Sequence, residues 1–188
     1  MAVVHMVEEV QSTPSISKLV NIERYSKYDT VIRVTARVLS VFERTTKVSL
    51  QIALVDQGQK LIQKAESLWL HECQAEIKEQ VRKGRFASLS PGIRDDGVVI
   101  VGSRVKKWVE ISYDNQELPL LSGDHPLSKL YAEKIHNESH SSISGISGIM
   151  AKVRLRFWVT KLLKILSSIR ARCVDCKRRK KQLENQIM

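Results

Sequence analysis

Apolar residues recur at helical spacing along the first half of the chain. Val31, Val34, Val38 and Val41 lie three or four residues apart, with Phe42 next to the last, so all five share one helical face. A second stripe with charged residues between its members continues until Gly84, and it contains Leu61, Ala65, Leu68, Trp69 and Ile77. Such stripes predict helices that turn one face toward a core.

The pattern changes after the second stripe. Asp96-Gly97 is a strong turn signal, and the β-branched run Val98–Val101 follows it directly. We therefore predict a short strand or hairpin here, and then a loop through Tyr113–Leu121.

Helical spacing returns in the last third of the chain. Asp124 is suited to cap a helix and Pro126 to occupy its first turn. The apolar positions of this first helix are Leu127, Leu130, Tyr131 and Ile135, and its last turns would carry His136 and His140. Those of the second are Ile146, Ile149, Met150, Val153 and Phe157.

A third helix follows Trp158 and leads directly into Cys173. Its residues Leu162, Leu163, Leu166 and Ile169 are expected to face inward, and Lys161, Lys164 and Arg170 outward.

The predicted fold is mainly α with a small β element. Residues 1–121 would form an upstream helical and β region, 122–182 a three-helix bundle and 183–188 a tail. About 60 residues offer little apolar area for an independent core, so a metal that staples the bundle would stabilise it.

Charge is distributed very unevenly. The net charge is +11, but residues 150–188 hold 12 Lys or Arg against Asp175 and Glu184, whereas residues 1–149 hold 19 basic and 18 acidic residues. This asymmetry favours an anionic partner for the last fifth of the chain, with nucleic acid the commonest. The alternative is a solvated basic tail.

Other compositional features predict a soluble, intracellular protein. No apolar run approaches the roughly 18 residues of a membrane span, and Glu8 and Glu9 come too early for a secretory signal. Three cysteines are too few, and odd in number, for a secreted disulfide framework. Cys73 is interpreted as a small buried apolar residue.

The remaining two cysteines complete a metal-ligand pattern. His136 and His140 lie four residues apart, 32 residues follow (141–172), and then come Cys173 and Cys176. Two imidazoles and two thiolates make a closed tetrahedral shell of the structural zinc type, and nearby basic residues would favour the thiolate forms. The alternative is a pair of exposed histidines and an unrelated pair of cysteines.

A second zinc chemistry uses some of the same residues. His136-x-Glu138 followed by Cys173-x2-Cys176 fits the outline of zinc deaminases, in which Glu138 would move protons. Against this, Arg172 replaces the expected proline, no strand pattern lies between the two halves, and His140 would have no role. The order of residues also differs from the H-E-x-x-H of metalloproteases.

Longer stretches resemble one family. "HPLSKLYAEKIHNESH", "VRLRFWVTKLLKIL" and "ARCVDCKRR" are similar, in this order, to the His-His-Cys-Cys zinc-binding domain of integrases in BEL/Pao-type retrotransposon polyproteins. Upstream, "ERYSKYDTVIRVTARVL", "AESLWLHECQ" and "LSPGIRDDGVVIVGSRV" resemble the region that precedes that domain. The resemblance covers roughly residues 20–180.

The resemblance implies a role without catalysis. It makes His136, His140, Cys173 and Cys176 the ligands of one structural zinc ion in a helix-turn-helix-like bundle, which in integrases supports multimerisation and binding of element DNA ends. The chain stops at Met188, where an integrase catalytic core would follow, so we expect no enzymatic activity. A decayed retroelement copy without activity is a further alternative.

The basic run at the end of the chain allows three interpretations. Lys177, Arg178, Arg179, Lys180 and Lys181 fit phosphate contacts, a nuclear import signal or a linker to a missing domain. We expect DNA as a partner, self-association as a second property, and neither a membrane nor a small-molecule substrate.

Overall fold

The computed structural model describes residues 16–46, 54–102, 118–139 and 145–185. Within these ranges there are seven α-helices: α1 (Tyr28–Thr46), α2 (Leu54–Cys73), α3 (Ala75–Arg82), α4 (Pro126–Glu138), α5 (Ile146–Arg154), α6 (Leu162–Arg172) and α7 (Val174–Asn185). Four two-residue strands accompany them: β1 (Gly92–Ile93), β2 (Val99–Ile100), β3 (Leu120–Leu121) and β4 (Trp158–Val159). The prediction of a mainly helical protein with a small β element is confirmed.

Helices α1 and α2 pack against each other along apolar faces that include Val31, Val34 and Val38 of the first predicted stripe. Val41 is 59% exposed, so its predicted place on the buried face is wrong, and the side chain of Phe42 lies outside the described residues. Val31, Ala65 and Trp69 have no exposed surface. The indole Nε1–H of Trp69 donates to the Thr35 hydroxyl at 2.8 Å, and that hydroxyl donates to the Val31 carbonyl at 2.9 Å. A buried indole N–H needs such a partner, so Thr35 lets the large ring enter the core.

The second stripe belongs to two helices rather than one. The helix breaks at Gln74, whose N–H still donates to the Leu70 carbonyl and whose carbonyl accepts from the Lys78 N–H. Helix α3 ends at Arg82, shortly before Gly84, which adopts a φ of +73°. The predicted end is therefore confirmed, and the break at Gln74 is a feature that the apolar spacing did not reveal.

A hairpin forms where the Asp96-Gly97 signal predicted it. Strands β1 and β2 pair antiparallel, with Gly97 in the turn at a φ of +77°. The Asp96 carboxylate accepts from the Val98 N–H at 3.0 Å. Glycine tolerates the left-handed conformation, which explains the turn.

Strands β3 and β4 pair parallel, Leu120 with Trp158 and Leu121 with Val159. The prediction of a loop through Leu121 is therefore wrong at its end, and β4 is a strand between the histidine and cysteine halves where the sequence suggested none. Both strands consist of two residues, too short for an apolar alternation to indicate them.

Helix α4 begins at Pro126 as predicted, but its N-cap is His125 rather than Asp124. The His125 Nδ1 accepts from the Leu127 N–H at 3.1 Å, while Asp124 pairs with Lys161 at 2.7 Å. The His125 imidazole therefore caps α4 in place of the predicted carboxylate, which lies one residue before the N-cap position and pairs with the Lys161 ammonium group.

Helices α4, α5 and α6 form the predicted three-helix arrangement. Leu162, Leu166 and Ile169 are buried, but Leu163 is 57% exposed, so its predicted inward orientation is wrong. At 3.6 residues per turn, an inward face centred on the other three leaves Leu163 on the outer side.

One apolar cluster joins these three helices to the upstream region. Tyr28 meets Tyr131 edge to face at a centroid distance of 5.2 Å, and Tyr131 meets Phe157 at 4.9 Å. The same buried cluster contains Trp69 from α2 and Leu166 from α6. The last third of the chain thus buries its apolar face partly against α1 and α2. The boundary at residues 121 and 122 stays a prediction.

Across the described ranges, none of the helices is both long and apolar enough to cross a membrane.

Candidate metal centre

The histidine of the candidate site lies at the end of α4. His136 occupies the last turn of this helix and is only 2% exposed. Just beyond the helix, the Ser139 N–H donates to the carbonyls of Ile135 and His136 at 3.1 Å each, and the Lys152 ammonium of α5 donates to the Ser139 hydroxyl at 3.2 Å. These contacts hold the end of α4 in place against α5.

The two cysteines lie where α6 gives way to α7. Cys173 has an extended backbone, and its N–H donates to the Ile169 carbonyl at 3.0 Å, which ends α6. Its own carbonyl accepts from the Lys177 N–H at 3.2 Å, which starts α7. Cys176 consequently falls in the first turn of α7, and the two thiols are held close together by the helix junction.

The fold brings these three residues into one cluster. The His136 Nε2 lies 3.6 Å from the Cys176 Sγ. The ligand atoms of His136, Cys173 and Cys176 all lie within 4.8 Å of one another, and this group could hold a metal ion. His136 is 37 residues from Cys173 in sequence, so packing of α4 against α6 creates the site.

The surroundings of Cys176 shift the pKa of its thiol in opposite directions. Burial, followed by the adjacent Cys173 thiol, raises the pKa of Cys176, whereas the guanidinium groups of Arg170 and Arg179 lower it. The raising effects prevail, so the basic neighbours alone do not favour the thiolate of Cys176 as the sequence suggested. A bound cation would supply the missing stabilisation of the charged sulfur.

The fourth predicted ligand, His140, lies outside the described residues. Helix α4 ends at Glu138, two residues before it. Glu138, the proton carrier of the deaminase outline, is 58% exposed in its side chain and lies 3.9 Å from the Lys134 ammonium. It is not a member of the metal-binding group.

Cys73 is separate from this cluster. It is 1% exposed, and its Sγ lies 3.6 Å from the Ser128 hydroxyl in the core between α2 and α4. Burial raises the pKa of this thiol. The interpretation of Cys73 as a buried apolar residue is confirmed.

The basic run forms part of α7. Lys177, Arg178, Arg179 and Lys181 are exposed, and the side chain of Lys180 lies outside the described residues. Because α7 starts directly after Cys173 and contains Cys176 in its first turn, any metal bound at the cysteines would fix the orientation of this basic helix relative to α4.

The sequence did not reveal the residues that support the site from further away. Lys134 of α4 pairs with Asp29 of α1 at 2.6 Å, which ties the helix that carries His136 to the upstream region. An ion pair between residues 105 positions apart leaves no local signal.

Comparison of the chain with protein-family models, curated proteins and solved structures finds no match.

Proposed function

We propose that the chain carries a structural zinc site and that this site organises a nucleic-acid-binding module of retroelement integrase type. The observation that carries the proposal is the convergence of His136, Cys173 and Cys176 within 4.8 Å. Imidazole nitrogen and thiolate sulfur together are the donor set that zinc prefers in structural sites.

The spacing of the donors fits zinc. With Zn–S of about 2.3 Å and Zn–N of about 2.0–2.1 Å, tetrahedral geometry puts nitrogen and sulfur about 3.6 Å apart. The His136 Nε2 and the Cys176 Sγ are 3.6 Å apart. His140 is the fourth ligand in this proposal, as the resemblance to integrases implies.

Zinc would have a structural role in this proposal. It would join the end of α4 to the start of α7 and thereby hold the exposed cations of α7 in a fixed direction. Lys177, Arg178, Arg179 and Lys181 would contact phosphates through charge, with little sequence preference. Multimerisation is the second property that the resemblance to integrases supports.

The direct test is zinc stoichiometry of the purified chain, with circular dichroism before and after chelation. We expect one zinc per chain and a loss of helical signal on chelation, because α7 would lose its anchor. His140→Ala should lower zinc affinity strongly, as should Cys176→Ser. Absence of zinc, or chelation without any structural change, would contradict the proposal and leave a decayed retroelement fragment as the better account.

A zinc-dependent nucleobase deaminase is the second candidate, since His136, Cys173 and Cys176 would also match its three ligands. In that case Glu138 would carry protons and a water would complete the zinc shell. Glu138→Gln and His140→Ala separate the two candidates. The structural site predicts that only His140→Ala releases zinc, and that the zinc-loaded chain does not deaminate a single-stranded oligonucleotide. Deamination that Glu138→Gln abolishes would favour the enzyme.

A further inference from the structure

A groove with a volume of about 390 Å³ runs between α4 and α6, on a surface that the metal centre does not use. Lys129 and Glu133 of α4 line one wall, and Lys164, Ser168 and Arg172 of α6 line the other. Ile165 and Ile169 form part of its lining between the polar groups.

The cations of the α6 wall lie on one side of the helix. Lys164, Ser168 and Arg172 follow one another at four-residue intervals, so they are stacked along one face of α6, and Lys161 is the residue directly before the helix. The 11 residues of α6 correspond to a rise of about 16 Å. Arg172 is the last residue of α6, so the row reaches the junction where basic α7 starts.

The lining of the groove carries a net positive charge, although the Asp124 carboxylate also interacts electrostatically with Lys129 and Lys164. Its lining has four cationic side chains and two carboxylates, those of Asp124 and Glu133. Lys161 is held by Asp124 at 2.7 Å. Among the described residues, no carboxylate lies within ion-pair distance of Lys129, Lys164 or Arg172. All three are exposed.

We propose that this groove binds the sugar-phosphate backbone of duplex DNA as a second contact beside α7. The proposal rests on the proposed function for its choice of nucleic acid as the partner. A row about 16 Å long can contact more than one phosphate of the same strand. The groove therefore extends the cationic track of α7 across α6 to Lys161.

The lining favours a duplex backbone over a single strand. Single-stranded nucleic acid is bound by aromatic rings on which bases stack. The described lining residues include no aromatic side chain. Lysine and arginine side chains over an aliphatic floor instead suit contacts to a rigid row of phosphates.

Glu133 allows a test in which one substitution should raise DNA affinity while substitutions of the neighbouring cations lower it. Its carboxylate lies in the same groove as Lys129 and is exposed. A phosphate backbone in the groove would be repelled by Glu133. Glu133→Gln should therefore strengthen binding, whereas loss of Lys129 and Lys164 should weaken it. A purely structural role for these residues would not produce this opposition.

The experiment measures binding of a fluorescent 20-bp duplex to the full zinc-loaded chain by anisotropy as a function of salt. The groove variant Lys129→Ala/Lys164→Ala should bind roughly tenfold or more weakly at physiological salt, with a log–log salt slope smaller by about 1.8. The matched control Lys83→Ala/Arg85→Ala also removes two exposed cations, from the segment after α3. It should leave the slope nearly unchanged. Zinc content and circular dichroism establish that each variant is folded.

The outcomes distinguish the groove from the proposed function. If Arg178→Ala/Arg179→Ala weakens binding while the groove variant and Glu133→Gln match the wild type, the groove proposal is overturned and the role of α7 remains. If the zinc-loaded chain binds no duplex, both fail. If the groove variant loses binding to vesicles containing phosphatidylserine but not to DNA, the groove recognises a lipid surface and the proposal is likewise overturned. Weakening of DNA binding by the groove variant together with strengthening by Glu133→Gln supports it.

Discussion

Gln74 is the residue whose replacement should destabilise this fold most clearly. Its side chain is fully buried at the break between α2 and α3. The amide nitrogen donates to the carbonyls of Val99 at 2.7 Å and Leu120 at 2.9 Å. The amide oxygen accepts from the Val99 N–H at 2.8 Å. Gln74 thus provides hydrogen-bond partners for backbone groups of both β2 and β3.

The expected magnitude follows from these three bonds. Gln74→Leu keeps a side chain of similar size but leaves one N–H and two carbonyl groups of the backbone without this partner. Val99 and Leu120 have no exposed surface, and each buried polar group left unsatisfied costs about 1–3 kcal/mol. Allowing for relaxation and non-additivity, we expect the free energy of unfolding to fall by about 3–6 kcal/mol. That is a large share of the roughly 5–15 kcal/mol typical of native proteins.

The assay is urea unfolding of the zinc-loaded protein followed by circular dichroism. Gln80→Leu is the matched control, because Gln80 lies on α3 and its amide donates only to the Glu76 carboxylate at 3.1 Å near the surface. Its effect should stay within about 0.5 kcal/mol. A loss below about 1 kcal/mol for Gln74→Leu would refute the reasoning, since it would mean that water or a shifted strand replaces the three bonds.

Three further predictions concern the cap of α4, the β3–β4 contact and the anchoring of α7. His125→Ala should cost about 1 kcal/mol and His125→Asn much less. Burial lowers the pKa of His125 from its ordinary 6.5. The stability that the neutral cap contributes should therefore be complete above about pH 6.5 and lost at lower pH. Unfolding curves of the wild type should show this loss, and those of His125→Asn should not. Gly123→Ala would place a methyl group against the Thr160 carbonyl and should lower the melting temperature, whereas Gly58→Ala in α2, with open space around it, should preserve or raise it. Finally, chelation should speed tryptic cleavage within residues 177–181 several-fold, and equal rates with and without zinc would show that α7 is not anchored by the metal.

Periodicity in the sequence predicted most of the helices. The helices that the valine stripe of α1 and the Leu–Trp stripe of α2 predicted are confirmed, because each helix buries one apolar face, although Val41 of the valine stripe is exposed. Asp96-Gly97 predicted the hairpin for a similarly local reason, because the turn needs a residue that tolerates positive φ. Residue type and spacing predict His136, Cys173 and Cys176 as metal ligands, and the fold brings these three residues together in a group that could hold a metal ion.

Tertiary structure decided the features that depend on distant partners. His125 rather than Asp124 caps α4, and Asp124 instead pairs with Lys161, which is 37 residues away in sequence. The pairing of β3 with β4 and the bonds of Gln74 join segments with no local pattern of their own. The groove likewise exists only because α4 packs against α6, which places Lys129 opposite Lys164. The local spacing of apolar residues indicates which face of a helix or strand is buried. The packing of the whole chain determines which groups that face contacts.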